Sequence, residues 1–150
     1  MSPDRPRVLV LNGPNLNLLG VREPAVYGRA TLAELERAIT THAHALGLDV
    51  ECHQSNHEGA LLDLLHGALG RCAGVVFNPG AYTHTSIALR DAVAGIALPV
   101  IEVHLSNTEA REDFRRVSYV GAVCLGRIMG LGAQGYLLAL DALRAHLAAR

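Results

Sequence analysis

The chain has 150 residues, half of them apolar, with a mean hydropathy of +0.23 and a formal net charge of -1. That length suits a single domain over residues 1–150, and the near-neutral balance excludes the basic face that nucleic acid or an anionic membrane demands. All 13 basic residues are arginine, which excludes catalysis through a lysine imine and a phosphate-binding loop with its lysine.

Residues 1–7 are polar and proline-bearing, with no apolar segment ahead of a cleavage site, so no secretory signal is read there. A strand follows at 8–11, where Val8, Leu9, Val10 and Leu11 form the continuous apolar run of a strand buried on both faces. A helix is predicted over 31–46, with Leu32, Leu35, Ile39, Ala43 and Leu46 at helical spacing. Thr31 and Glu34 form a capping-box pattern at its start, and Gly47 stops it. A weaker strand at 50–53 precedes a helix over 58–69, with Leu61, Leu65 and Leu69 on one face. A wholly apolar strand at 74–77 leads to a helix over 85–94 closed by Gly95. The last predicted elements are strands at 99–104 and 120–125 and a helix over 134–149. No run approaches the roughly 20 residues that cross a bilayer. Cys52, Cys72 and Cys124 are odd in number and lack a C-x-x-C pair, so free thiols in a reducing cytoplasm are expected.

Strands alternating with helices imply an α/β protein with a parallel sheet covered on both faces. Five strands fit a flavodoxin-like order, 2-1-3-4-5, with ligands beyond the carboxyl ends where the order reverses. The segments after strands 1, 3 and 4 are therefore the ones to read for chemistry. After strand 1 a loop of about 18 residues reaches Thr31, against a usual 4–6, and carries Gly13, Gly20 and Gly28 as candidate hinges of a lid. After strand 3, Asn78 ends the strand and His84 falls near the start of the next helix, whose N–H groups favour anions. Thr83 and Thr85 read there as turn or helix caps. After strand 4, Glu102 and His104 are two apart and share a face, so the carboxylate can orient the imidazole and favour its protonated form. Residues 110–116 form a charge cluster that reads as a solvated helix face from which one arginine can reach the site.

Other motifs fail. Gly130, Gly132 and Gly135 match G-x-G-x-x-G, but the chain ends before an acidic ribose ligand about 20 residues on, so packing of the last helix explains them better. There is no G-x-S-x-G, and His53 with His57 lacks the H-E-x-x-H context of a metal site. Two further readings stay open. One is a flavodoxin-like module binding nucleotide or flavin, with Tyr27 and Tyr82 as stacking residues. The other is a purely structural assembly subunit.

Taken in order, Leu11-Asn12-Gly13-Pro14-Asn15-Leu16-Asn17-Leu18-Leu19-Gly20, Arg22-Glu23-Pro24 with Tyr27-Gly28, Gln54-Ser55-Asn56-His57-Glu58-Gly59, Asn78 to Ser86 and Ile101 to Asn107 closely resemble the type II 3-dehydroquinate dehydratases. Ala110-Arg111-Glu112, Phe114-Arg115, Ser118-Tyr119 and Gly130-Leu131-Gly132 with Gly135-Tyr136 extend the resemblance over nearly the whole chain. It implies a lyase that converts 3-dehydroquinate to 3-dehydroshikimate, in the shikimate pathway of aromatic amino acid biosynthesis or in quinate breakdown. No metal or cofactor is implied, and the family assembles as a dodecamer, a tetramer of trimers. By resemblance, Tyr27 is the base at C2, favoured as its anion by Arg22. His104, oriented by Glu102, is the acid at the C1 hydroxyl, and Asn15 helps hold a water on the enolate. Asn78 and the N–H groups of Leu105 and Ser106 are the carboxylate partners; His84, Arg115 and an Asp91 from a neighbouring subunit are those of the ring hydroxyls. Ala60 and Arg116-Val117 depart from the acidic residue and the histidines common in the family. The chemistry is demanding, because a free tyrosine titrates near 10 and needs roughly 4 kcal/mol of help to ionise at neutrality. One arginine at about 4 Å supplies that order at an effective dielectric near 20 but not in bulk water, so the loop is expected to close and exclude solvent.

Overall fold

The computed structural model describes residues 4–150, so the reading of the N-terminal stretch falls partly outside the described residues. Five parallel strands, β1 (Arg7–Asn12), β2 (Asp49–Gln54), β3 (Gly74–Asn78), β4 (Val100–His104) and β5 (Gly126–Met129), form one sheet in the order β2-β1-β3-β4-β5. The predicted order is therefore the observed one. Between strands run a short α1 (Pro24–Tyr27), then α2 (Leu32–Ala45), α3 (Glu58–Ala68), α4 (Ile87–Ile96) and α5 (Gln134–Ala148).

The two-residue period of a strand sorts the side chains onto two cores. Val8, Val10, Val76, Ile101 and Val103 pack with Ile39 of α2 and Leu140 of α5. Leu9, Leu11, Val75 and Phe77 pack with Leu61 of α3 and Leu89 of α4. Burial on both faces is why β1 and β3 read as continuous apolar runs. Glu102 and His104 share the parity of Val100 and so stand on the α3/α4 face of β4.

Side chains cap the starts of α2 and α4. Thr31 Oγ1 accepts from the Glu34 N–H at 3.2 Å, and Ser86 Oγ accepts from the Leu89 N–H at 2.9 Å, each contributing about 1 kcal/mol.

Three sequence expectations are corrected. The fifth strand is not at 120–125. Residues Gly121–Val123 form a 3-10 turn, with Val120 fully buried beside α3 and α4, and the strand follows at Gly126–Met129. Burial in a turn leaves the same apolar composition as a buried strand, whereas the true edge strand carries Arg127. The helix expected over 85–94 begins at Ile87, passes through Gly95 and ends at Ile96, capped by Ala97 with a left-handed φ of 55°. His84 therefore closes a separate 3-10 turn, Gly80–His84, rather than opening a helix. The charge cluster is not a helix face either; it folds as 3-10 turns at Thr108–Ala110 and Asp113–Arg116.

The loops after β1 and β3 lock together backbone to backbone. The Gly13 N–H donates to the Asn78 carbonyl at 2.7 Å, and a Cβ on Gly13 would lie 2.5 Å from the Pro79 oxygen. Only glycine permits that approach, which brings the two loops to one end of the sheet.

Candidate active site

Beyond the carboxyl ends of β1, β3 and β4 lies an open cleft. This is where the strand order reverses. Asn15, Arg22, Tyr27, Asn78, His84, His104, Leu105, Ser106 and Arg115 all line it. The sequence reading thus brought together nine of its residues on one cavity. Glu102 sits behind the wall, and Asp91 is elsewhere: it lies exposed on α4, bonded at 3.2 Å to Arg90, along a groove with Leu62, His66 and Leu69.

The loop after β1 delivers Tyr27. A 3-10 turn, Leu16–Leu18, follows Asn15, whose φ of 70° is left-handed and whose N–H donates to Asn56 Oδ1 at 3.0 Å. The chain then turns through Glu23, also left-handed at φ 37°, into α1 with Pro24 at its first position. Tyr27 ends α1, half-buried, with the Arg22 guanidinium 4.5 Å from its ring centroid and that of Arg111 at 5.1 Å. Two positive charges therefore stand against one phenol. Arg111 also donates to Ser106 Oγ at 3.2 Å, which ties the arginine to the loop after β4.

On the other side, β4 ends in His104, 6% exposed, and its Nε2 hydrogen-bonds Glu102 Oε2. Glu102 has no exposed surface and collects further donors from three segments. Thr83 Oγ1 donates to Oε2 at 2.6 Å, Ser118 Oγ to Oε1 at 2.8 Å and Arg127 Nε to Oε1 at 2.9 Å. Burial pushes this carboxyl up, but the His104 hydrogen bond and charge, with Thr83 and Arg127, outweigh it and hold Glu102 at about 2. The group is ionised wherever the protein is folded near neutrality. Thr83 is thus no cap: it is fully buried and serves the carboxylate, while Ser86 caps α4. His84 stacks on His104 with centroids 6.4 Å apart and bonds the Val117 carbonyl through Nδ1 at 2.7 Å. That contact uses backbone, so the departure at position 117 costs it nothing. Burial lowers the His84 pKa from its ordinary value, leaving a neutral ring at pH 7.

A family model described as Dehydroquinase class II matches residues 6–144. The chain belongs to that family. It is 63% identical over 140 residues to the 3-dehydroquinate dehydratase of Ruegeria pomeroyi, covering 93% of this chain and 94% of the relative. It is 59% identical over 137 residues to 3-dehydroquinate dehydratase 2 of Pseudomonas putida, covering 91% and 92%. The crystal structure of the type II dehydroquinase from Butyrivibrio crossotus superposes with a TM-score of 0.91 at 46% identity, covering 93% of this chain and 97% of the other.

This dehydroquinase site also uses residues that sequence reasoning did not single out. Arg111 lines the cleft beside Arg115, so two arginines of the charge cluster reach it rather than one. Tyr136 of α5 is fully buried, and its hydroxyl lies between two strand-end asparagines. Asn78 Oδ1 accepts from the Gly80 N–H at 3.0 Å, so its amide nitrogen faces Tyr136 and donates at 2.8 Å. The Tyr136 hydroxyl must then donate to Asn12 Oδ1, which it does at 2.6 Å. Burial pushes the Tyr136 hydroxyl up from its usual value, so it stays neutral and the chain of bonds keeps one direction. That chain orients the Asn78 amide in the cleft. The glycines of the rejected dinucleotide pattern hold the opposite rim: Gly130 and Gly132 N–H groups donate to the carbonyls of His104 and Leu105. Gly135 packs α5 onto Val103 and Ile128. Tyr82, a stacking residue in the flavin reading, is turned away from the cleft and donates to the Asn56 carbonyl at 2.8 Å.

Proposed function

We propose that the chain dehydrates 3-dehydroquinate to 3-dehydroshikimate by anti elimination through an enolate, with Tyr27 as base and His104 as acid. Family membership and the relatives' shared activity carry the overall reaction, in the shikimate pathway. The residue roles rest on one observation above all: a tyrosine under two guanidiniums shares a small cleft with a histidine backed by a buried, ionised glutamate. An elimination next to a ketone needs a base for the carbon-bound proton, an acid for the leaving hydroxyl and a stabiliser for the enolate. Tyr27 removes the C2 proton while Arg22 and Arg111 supply positive charge beside the forming phenolate. His104 gives its proton to the departing C1 hydroxyl as Glu102 balances the imidazolium. Asn15 holds a water on the enolate oxygen. Asn78 and the N–H groups of Leu105 and Ser106 take the carboxylate, and His84 and Arg115 take the ring hydroxyls. With no lysine in the chain, no lysine imine can form. The test is the ultraviolet absorbance of the conjugated enone product, followed with and without sodium borohydride. Product is expected in both, at equal rates. No product at all rejects the function, and borohydride inactivation in the presence of substrate rejects the imine-free route.

The working form we propose is a homo-oligomer, a dodecamer built as a tetramer of trimers, in the cytoplasm. Asp91 supports the first part, because it is absent from its own chain's cleft and exposed beside the apolar groove of α3 and α4. Contributing it to a neighbour's cleft completes the site. Sedimentation is expected to show the large assembly, and Asp91→Asn to lower activity about tenfold. A fully active monomer contradicts this reading. For the compartment, Cys52, Cys72 and Cys124 are free thiols, and burial pushes Cys52 and Cys124 up to about 12, where they are unreactive. Among the described residues no helix is long and apolar enough to cross a membrane.

A further inference from the structure

We infer that Arg127 is a positioning residue that, through Glu102, sets how tightly His104 holds the proton it donates. The inference rests on the proposed role of His104 as the acid. Arg127 lies on edge strand β5 directly beside Glu102 in register, and its Nε donates to Oε1 at 2.9 Å. Arg127 and His104 thereby hold opposite oxygens of one carboxylate: Arg127 is on Oε1, His104 and Thr83 are on Oε2, and Ser118 Oγ reaches both, at 2.8 and 3.1 Å. The backbone is fitted to this pair. A Cβ at Gly121 would come within 2.5 Å of Arg127 Cδ and 2.7 Å of Glu102 Oε1.

Two cations share one anion when His104 is protonated, and one cation balances it when His104 is neutral. A lone glutamate would bind the imidazolium as its sole counter-ion and keep the proton. The fixed charge of Arg127 takes up part of that attraction, so the proton leaves more readily. The other charged or titratable groups facing His104 are His84, stacked on it from the 3-10 turn, and Tyr27, Arg22, Arg111 and Arg115 around the cleft. Those groups line the substrate cavity. Arg127 and Glu102 do not, so Arg127 tunes the acid without contacting substrate.

The experiment is a ring-carbon NMR titration of the histidines in the intact enzyme, with His104→Gln assigning the signal, alongside pH profiles of kcat and KM. In Arg127→Met the His104 midpoint is expected to rise by about one pH unit. The alkaline limb of kcat should move the same way, and kcat at neutrality should fall about tenfold with KM within about twofold. Arg127→Lys should return the midpoint most of the way to wild type. If the Met variant does not fold, Arg127→Gln against Arg127→Lys makes the same comparison, since only lysine keeps the charge. A midpoint that is unmoved or falls overturns the inference. A midpoint that rises while the kcat limb stays in place upholds Arg127's effect and removes His104 as the acid.

Discussion

Tyr27→Phe is expected to lower kcat for 3-dehydroquinate dehydration by about 10²–10⁴-fold, the usual contribution of a positioned general base, while leaving the melting temperature nearly unchanged. The substitution removes one oxygen from a half-buried ring whose contacts are the guanidiniums of Arg22 and Arg111 at 4.5 and 5.1 Å. Both arginines still find an aromatic face in the variant, so α1 and the loop after β1 keep their packing. What disappears is the phenol oxygen proposed to take the proton from carbon. KM is expected to change little, because the proposed carboxylate and hydroxyl partners, Asn78, His84 and Arg115, are untouched. Enone absorbance under saturating substrate measures the loss. A variant with half of the wild-type kcat would show that the proton goes elsewhere, and the proposed mechanism would have to be rebuilt around a different base.

Glu102→Gln is expected to cost at least about 100-fold in kcat and to change the acid sensitivity of the fold. Four side chains direct hydrogens at this carboxylate: His104, Thr83, Ser118 and Arg127. An amide offers one accepting oxygen and turns two hydrogens of its own towards the remaining donors. Breaking a buried ion pair from one side typically costs about 3–5 kcal/mol, so urea unfolding at pH 7 should show a markedly less stable variant. The pH dependence has a definite sign. The folded Glu102 sits at about 2, below the ordinary 4.5 of the unfolded chain, so its contribution is fully present above pH 4.5 and is lost as pH falls towards 2. A displacement of this size corresponds to about 3 kcal/mol. The stability gap between wild type and Glu102→Gln should therefore narrow by roughly that amount between pH 5 and pH 2. Glu51 and Glu112, also lowered by arginine partners, are common to both proteins and cancel in the comparison. A gap that stays constant across this range would mean that folding does not lower the pKa of Glu102.

By itself the sequence determined what depends on short periods and local turn chemistry. The alternation of strands and helices and the burial of β1 and β3 on both faces were legible because these patterns repeat every two or 3.6 residues along the chain, whereas the strand order followed from the fold that five alternating strands fit. So was the pairing of Glu102 with His104, two apart on one strand, and the extended Tyr27 loop. The ordered motifs carried the family and the nine residues that meet in the cleft. Tertiary structure alone decided the rest, because those features depend on contacts between distant segments. Thr83, Ser118 and Arg127 reach Glu102 across separations of 19, 16 and 25 residues, and no local pattern marks them. Tyr136 meets Asn12 across 124 residues, in a helix whose periodicity announced only a core face. The fifth strand was misplaced for the same reason. Val120 owes its apolar character to burial under α3 and α4, while β5 owes its place at the sheet edge to backbone pairing with β4 and an arginine drawn to a buried carboxylate.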